Sequence, residues 1–210
     1  MALLTYFDVF MCLWSYFRTI KISNTPPILA KLEEVFTPPV DKYYDYAYSP
    51  TYKYCTICKN SKFPRVHHCS TCGKCQYKMD HHCIWTQTCI GYSNLKCFYL
   101  FCLYMSIGAF QFWYFSYRVV TERKQPLFTI FEPGVMIVWF FTGFSAFFVG
   151  MMIFCLIIGH TVMLLTNFRT MDGVKTKKMC PIPFFQKGGK VDLLNLFDRG
   201  EIQNLKLFFG

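Results

Sequence analysis

Two stretches of this chain carry no charge at all: Phe98 to Tyr117 and Gly134 to Gly159. Each exceeds the roughly 18 apolar residues that mark a membrane-spanning helix. Both are too long and too aromatic to be ordinary core helices. Met1 to Phe17 is a third apolar stretch, shorter at 17 residues and with Asp8 near its middle. A charged carboxyl at mid-bilayer costs a few kcal/mol, so Asp8 is expected to face neighbouring helices or to stay neutral. A secretory signal would need a basic beginning and a small-residue cleavage site. Neither is present, which leaves a short span.

The pattern between these stretches is different. Residues 18–54 are punctuated by Pro26-Pro27, Pro38-Pro39 and Pro50, and only Ile28–Phe36 reads as a short helix. The run Tyr43-Tyr44-Asp45-Tyr46-Ala47-Tyr48 suits aromatic packing at a bilayer interface. Residues 55–97 are too rich in Cys, His and Gly, and too few, to build a normal hydrophobic core. Metal would have to supply the folding energy. Residues 118–133 form a turn between the two longer spans. The tail, 166–210, mixes basic residues with Leu193, Leu194, Leu196 and Phe197, and again with Leu205, Leu207, Phe208 and Phe209. Such a tail can lie on a membrane or pack under the Cys-rich segment. No internal repeat of the solenoid kind is visible. The expected fold class is mainly α: a polytopic membrane protein with spans at 1–17, 98–117 and 134–165, plus a small zinc-organised domain at 55–97 that the approach segment 18–54 leads into.

Composition supports this division. Of 210 residues, 53% are hydrophobic and 16% charged, where a soluble domain carries about 25% charged. The net charge of +10 raises the question of nucleic acid, but no basic block interleaved with polar contacts stands in a soluble domain. Lys and Arg number eleven in residues 18–97, eight in 166–210 and three in 118–133. Positive-inside reasoning makes the first two segments cytosolic and the third luminal or extracellular.

Cytosolic placement bears on the cysteines, because disulfides are rare there. Seven cysteines and four histidines lie between Cys55 and Cys89. Cys55-x-x-Cys58 and Cys69-x-x-Cys72 have zinc-knuckle spacing, and Cys75, Cys89 and two His-His doublets extend the set. Two tetrahedral zinc ions use eight ligands, so three of the eleven donors are spare. Closed four-ligand sites are structural. Spacing alone leaves open which donors share an ion and which cysteine is spare, but a cysteine free of metal beside histidines is a candidate nucleophile.

Residues 55–98 resemble the Cys-rich domain of the DHHC family of membrane protein S-acyltransferases. The match runs through Cys55-x2-Cys58, Arg65, His67-His68-Cys69, Cys72, Cys75, Lys78-Met79-Asp80-His81-His82-Cys83, Trp85, Cys89-x-Gly91-x-x-Asn94 and Phe98. Trp14-Ser15-Tyr16-x-Arg18-Thr19 is similar to the end of the family's second span. Asp198-x-Gly200 and Asn204 are similar to its C-terminal motif. The departures are Pro64 displaced by one position, Ile84 for proline, Gln87-Thr88 for two asparagines, and Arg169-Thr170-Met171-Asp172 for Thr-Thr-x-Glu. No Asp-Pro-Gly tripeptide occurs, and on this resemblance the sequence is expected to begin at the family's second span, through either a truncated start or divergence.

The resemblance implies one zinc on Cys55, Cys58, His68 and Cys75 and a second on Cys69, Cys72, His82 and Cys89. It implies that Cys83 is the acylated nucleophile, His81 its general base and Asp80 the carboxylate that orients the ring, with Thr170, Asp172 and Asn204 in support. Long-chain acyl-coenzyme A would be the co-substrate and membrane-associated proteins with cytosolic cysteines the acceptors, at an endomembrane (Golgi or ER) or the plasma membrane. Trp85 is a candidate for the first part of the acyl chain, and Arg65 and Lys96 for the phosphates. Gly108 and Ala109 would either leave depth for the chain or let helices pack closely. The rival readings are a catalytically inactive zinc-stabilised adaptor of the same family and a membrane ubiquitin ligase with a RING-like cross-brace.

Overall fold

The computed structural model describes residues 2–22, 24, 54–62, 65–121, 133–171 and 199–209. The expected helix at 28–36, the tyrosine run, the turn at 122–132, Asp172 and the tail at 172–198 lie outside the described residues. In chain order the elements are α1 (Ala2–Lys21); the strands β1 (Tyr54–Cys55), β2 (Asn60–Ser61), β3 (Val66–Cys69), β4 (Lys74–Tyr77), β5 (His81–Cys83) and β6 (Thr88–Ile90); then α2 (Leu95–Thr121), α3 (Pro133–Leu165) and α4 (Glu201–Phe209).

Among the described residues two helical stretches, Leu95–Val119 and Met136–Leu165, are long and apolar enough to cross a membrane. Helix α1 forms as the apolar pattern requires, but it does not reach that standard. The chain divides into two compact units, Met1–Phe17 with Cys97–His160, and Arg18–Lys96 with Thr161–Gly210.

The first unit is helix against helix. Outward-facing aromatics such as Phe141, Phe144 and Phe148 on α3 are more than half exposed, a surface suited to lipid and not to water. Between α2 and α3 small residues allow close approach. Ser106 donates to the Gly150 carbonyl at 3.2 Å, and Gly150 faces Ala109. Aromatic pairs Phe112–Trp139 and Trp113–Phe147 fill the space on either side. Helix α1 lies on α2 through Phe7–Tyr104 and Tyr16–Phe101. Asp8 is buried there, and a Cβ at Gly108 would sit 3.0 Å from its Oδ2. Gly108 and Ala109 therefore serve helix contact.

The tightest of these contacts gives a prediction. A Cβ on Gly143 would lie 2.6 Å from Ser116 Cβ, and Ser116 is buried. Gly143→Ala is expected to force α2 and α3 apart, at a cost of about 1–3 kcal/mol. A lower melting temperature in detergent would show it; an unchanged one would contradict the contact.

The second unit contains the three hairpins. Each is antiparallel: β1–β2, β3–β4 and β5–β6. The turns close with Lys59 (φ 51), Gly73 (φ 65) and Gln87 (φ 51) in the left-handed region, which frees each chain to double back. Among the described residues, the hairpins hold small apolar clusters. Val66 and Tyr77 form one small cluster, and Cys69, Met79 and Cys89 another. Clusters of this size do not stabilise a domain unaided.

Polar ties take up part of that work. Asn24, just beyond α1, donates to the Cys89 carbonyl and to Asn94 Oδ1, both at 2.7 Å, and accepts from the Ser93 N–H at 2.8 Å. Asn94 Nδ2 donates to the carbonyls of Thr19 and Cys89. Gly91 is held so close that a Cβ would meet the Tyr77 carbonyl at 2.9 Å.

Candidate active site

Two groups of four donors converge in the hairpin unit: Cys55, Cys58, His68 and Cys75, and Cys69, Cys72, His82 and Cys89. The cause is the register. His68 pairs with Cys75 across β3–β4, and His82 with Cys89 across β5–β6, so each hairpin brings one His and one Cys together. The preceding turn adds its two cysteines. Each group thus joins two successive hairpins.

The donor atoms fit zinc. With Zn–S near 2.3 Å and Zn–N near 2.0–2.1 Å, a tetrahedron has edges of about 3.5 to 3.8 Å. Cys55 and Cys58 lie 3.5 and 3.3 Å from His68 Nδ1. Cys69, Cys72 and Cys89 lie 3.7, 3.4 and 3.7 Å from His82 Nδ1, and Cys72 lies 3.5 Å from Cys89. Both clusters can hold a metal ion, and a set of three thiols with one imidazole favours zinc.

Cys83 belongs to neither group. It ends β5 and is buried. Two residues earlier, His81 Nδ1 lies 2.8 Å from Asp80 Oδ2. Asp80 is 1% exposed, and its other oxygen accepts from the Thr170 N–H and hydroxyl, each at 3.0 Å. An ionised carboxylate only accepts, so Nδ1 carries the proton and Nε2 is the ring's basic nitrogen. Burial lowers the His81 ring, but hydrogen bonds to Asp80 and Cys83 and their charges hold it up at about 9. Burial raises the Cys83 thiol, yet the neighbouring His81 ring and the polar groups of Thr86 and Trp85 outweigh it and bring it down to about 7. The three groups share a proton in the manner of an activated nucleophile.

The segment after α3 is folded to deliver Thr170. Asn167 takes φ 49, the left-handed conformation that ends helices. Arg65, 4% exposed, donates to the Asn167 carbonyl at 2.7 Å and to its side chain at 3.3 Å. A cation at a helix C-terminus also complements the helix dipole. Arg65 therefore binds the end of α3, whereas Lys96 and Trp85 are exposed. Asn204 is buried in α4 and donates to the Leu165 carbonyl, another group that the end of α3 leaves unpaired. It also accepts from the Arg199 N–H at 3.2 Å.

Asn24 and Asn167 are residues that sequence reasoning missed. A single asparagine following the apolar run of α3 is a recognisable stop signal. Asn24 gives no such signal, because its partners lie 65 or more residues away.

A comparison with curated proteins finds no significant match. A family model described as DHHC palmitoyltransferase matches residues 49–177, which take in both donor groups, Asp80 to Cys83 and Thr170. On that match the chain belongs to the DHHC palmitoyltransferase family.

Proposed function

We propose that the chain is a protein-cysteine S-acyltransferase that works through an acyl-Cys83 intermediate. One observation carries this reading. Of the seven cysteines from Cys55 to Cys89, Cys83 alone stands outside both four-donor groups, and a hydrogen-bonded Asp80–His81 pair adjoins it.

The Cys83 thiolate attacks the thioester carbonyl of a long-chain acyl-coenzyme A. A new C–S bond forms, the bond to coenzyme A breaks, and the departing sulfur takes the proton that His81 holds. A substrate cysteine then gives its proton to His81 and attacks acyl-Cys83, which releases the Cys83 thiolate. One thioester replaces another, so no further energy source enters. Asp80 fixes the ring so that Nε2 carries each proton. Thr170 fixes Asp80. When bound, two zinc ions supply structure: each would be closed by four protein ligands, with no open position for water.

Burying each methylene of the chain is worth about 0.8 kcal/mol, which favours an acyl donor held among membrane helices. In this reading α1 is a third span and the hairpin unit faces the cytosol, in an endomembrane or the plasma membrane. Trp85 meets the first carbons of the chain, Lys96 meets phosphate, and Arg65 acts through the end of α3. Asp172 and Asn204 are supporting groups.

Purified protein incubated with labelled palmitoyl-coenzyme A should gain a hydroxylamine-sensitive label, mapped by peptide mass spectrometry to Cys83. A protein that takes no label, with both metal sites filled, would be the non-catalytic adaptor.

A further inference from the structure

Only Lys78 and Met79 separate the end of β4 at Tyr77 from Asp80. One short link therefore sets where the carboxylate emerges. Two backbone hydrogen bonds straddle it. The Tyr92 N–H donates to the Tyr77 carbonyl at 3.3 Å, and the Asp80 N–H donates to the Ile90 carbonyl at 2.8 Å. The link thus lies against residues 90–92, where β6 ends. Gly91 is packed between: a Cβ on it would meet the Tyr77 carbonyl at 2.9 Å and the Lys78 carbonyl at 3.3 Å.

The link turns at Lys78, which takes φ 43. Left-handed backbone crowds any residue that has a Cβ, and glycine or asparagine is the usual occupant. What favours lysine here is its side chain. Its ammonium lies 4.6 Å from the centre of the Tyr92 ring and 5.5 Å from that of Tyr77. Both distances are within reach of a cation–π attraction. The two rings meet edge to face with centres 5.5 Å apart. Tyr77 is 4% exposed and packs on Val66, so the platform is itself fixed. The Lys78 side chain crosses the same gap that the two backbone bonds cross.

We infer that Lys78 is a positioning residue: its ammonium, seated on Tyr92 and Tyr77, holds the left-handed turn that sets Asp80 in place beside His81. The inference rests on the reading of Cys83 as the nucleophile and adds a residue that acts through Asp80. A solvent-facing ammonium this near the nucleophile would suit a phosphate of the acyl donor. Seated on two rings, it serves the turn instead.

The test uses the full-length protein, with bound zinc measured alongside. Lys78→Met keeps the chain length and removes the charge, Lys78→Arg keeps a cation over the rings, and Tyr92→Leu removes the main ring. A fourth protein combines Lys78→Met with Tyr92→Leu. The first readout is hydrogen–deuterium exchange in the peptide covering residues 79–83, which reports opening of the link. Exchange needs no acyl transfer, so it decides the inference even if Cys83 takes no label, a result that would refute the acylation reading by itself. The second readout is the single-turnover rate of labelling by palmitoyl-coenzyme A at saturating donor. Lys78→Met and Tyr92→Leu are each expected to speed exchange about fourfold, as loss of a cation–π contact implies, with zinc content unchanged. Each should slow labelling by about threefold or more, because a slack turn misplaces Asp80. Lys78→Arg should stay within about twofold of the parent in both readouts. The double variant should exchange no faster than either single one, where independent losses would multiply to about sixteenfold. Unchanged exchange in Lys78→Met would overturn the inference, as would multiplied effects or a Lys78→Arg protein as impaired as Lys78→Met. Labelling that is unchanged at saturating donor, or slowed only at low donor, would also overturn it, the latter by assigning the ammonium to the donor. If Lys78→Met loses zinc, Tyr92→Leu, which leaves the lysine in place, decides in the same way.

Discussion

A chain carrying Cys89→Ser is expected to bind one zinc ion where the parent binds two, and to lose acylation of Cys83 although Cys83 is untouched. Cys89 is 1% exposed and pairs directly with His82 across β5–β6. A serine hydroxyl stays protonated at neutral pH and is a poor ligand, so the second donor group is left with Cys69, Cys72 and His82. Structural zinc contributes roughly 10–16 kcal/mol in small domains, as much as the whole net stability of an ordinary fold. His82 sits between the proposed base and the nucleophile. Loosening β5 therefore moves His81 and Cys83 independently of one another. Zinc per chain, measured by plasma mass spectrometry, should fall by half, with acyl label below about 1% of the parent, since small misplacements already cost about 100-fold. Two retained zinc ions, or full labelling with one, would show that the hairpin does not depend on this site.

The sequence and the structure agree where a single physical cause dominates. Uncharged runs became α2 and α3 because nothing in them requires water. The metal groups were approachable from spacing because a ligand pair on one turn is a local property. Which pair joins which histidine is set by hairpin register, a longer-range matter. Arg65 shows where local reading ends. A basic residue beside a presumed cytosolic site invites assignment to phosphate, but its guanidinium lies on Asn167, 102 residues away.

These long-range ties converge on one carboxylate. Arg65 fixes the turn at Asn167, that turn delivers Thr170, and Thr170 holds Asp80. Asn24 and Asn94 secure the Cys89 carbonyl from the other direction. The groups proposed to do the chemistry are thus held by ordered backbone on two sides, as preorganised sites require.

Asp80→Asn isolates the chemical part of that arrangement. The amide has nearly the volume of the carboxylate, so zinc content and folding should be retained. It offers only one acceptor oxygen, whereas Asp80 accepts from Thr170 on one oxygen and from His81 on the other. If the amide oxygen stays with Thr170, the NH2 group faces His81 Nδ1 and donates to it. The ring must then carry its proton on Nε2 and cannot accept one from the thiol there. If the amide turns over, NH2 meets the Thr170 N–H and the tie to the end of α3 is lost. Wrong-tautomer substitutions of this kind cost up to about 10⁴-fold in serine enzymes. Cysteine is the stronger intrinsic nucleophile, so a smaller loss, about 100-fold in the rate of acyl-Cys83 formation, is expected. Single-turnover labelling of the variant with two zinc ions bound is the measurement. A rate within threefold of the parent would remove Asp80 and its tautomer control from the mechanism, whatever its place in the fold.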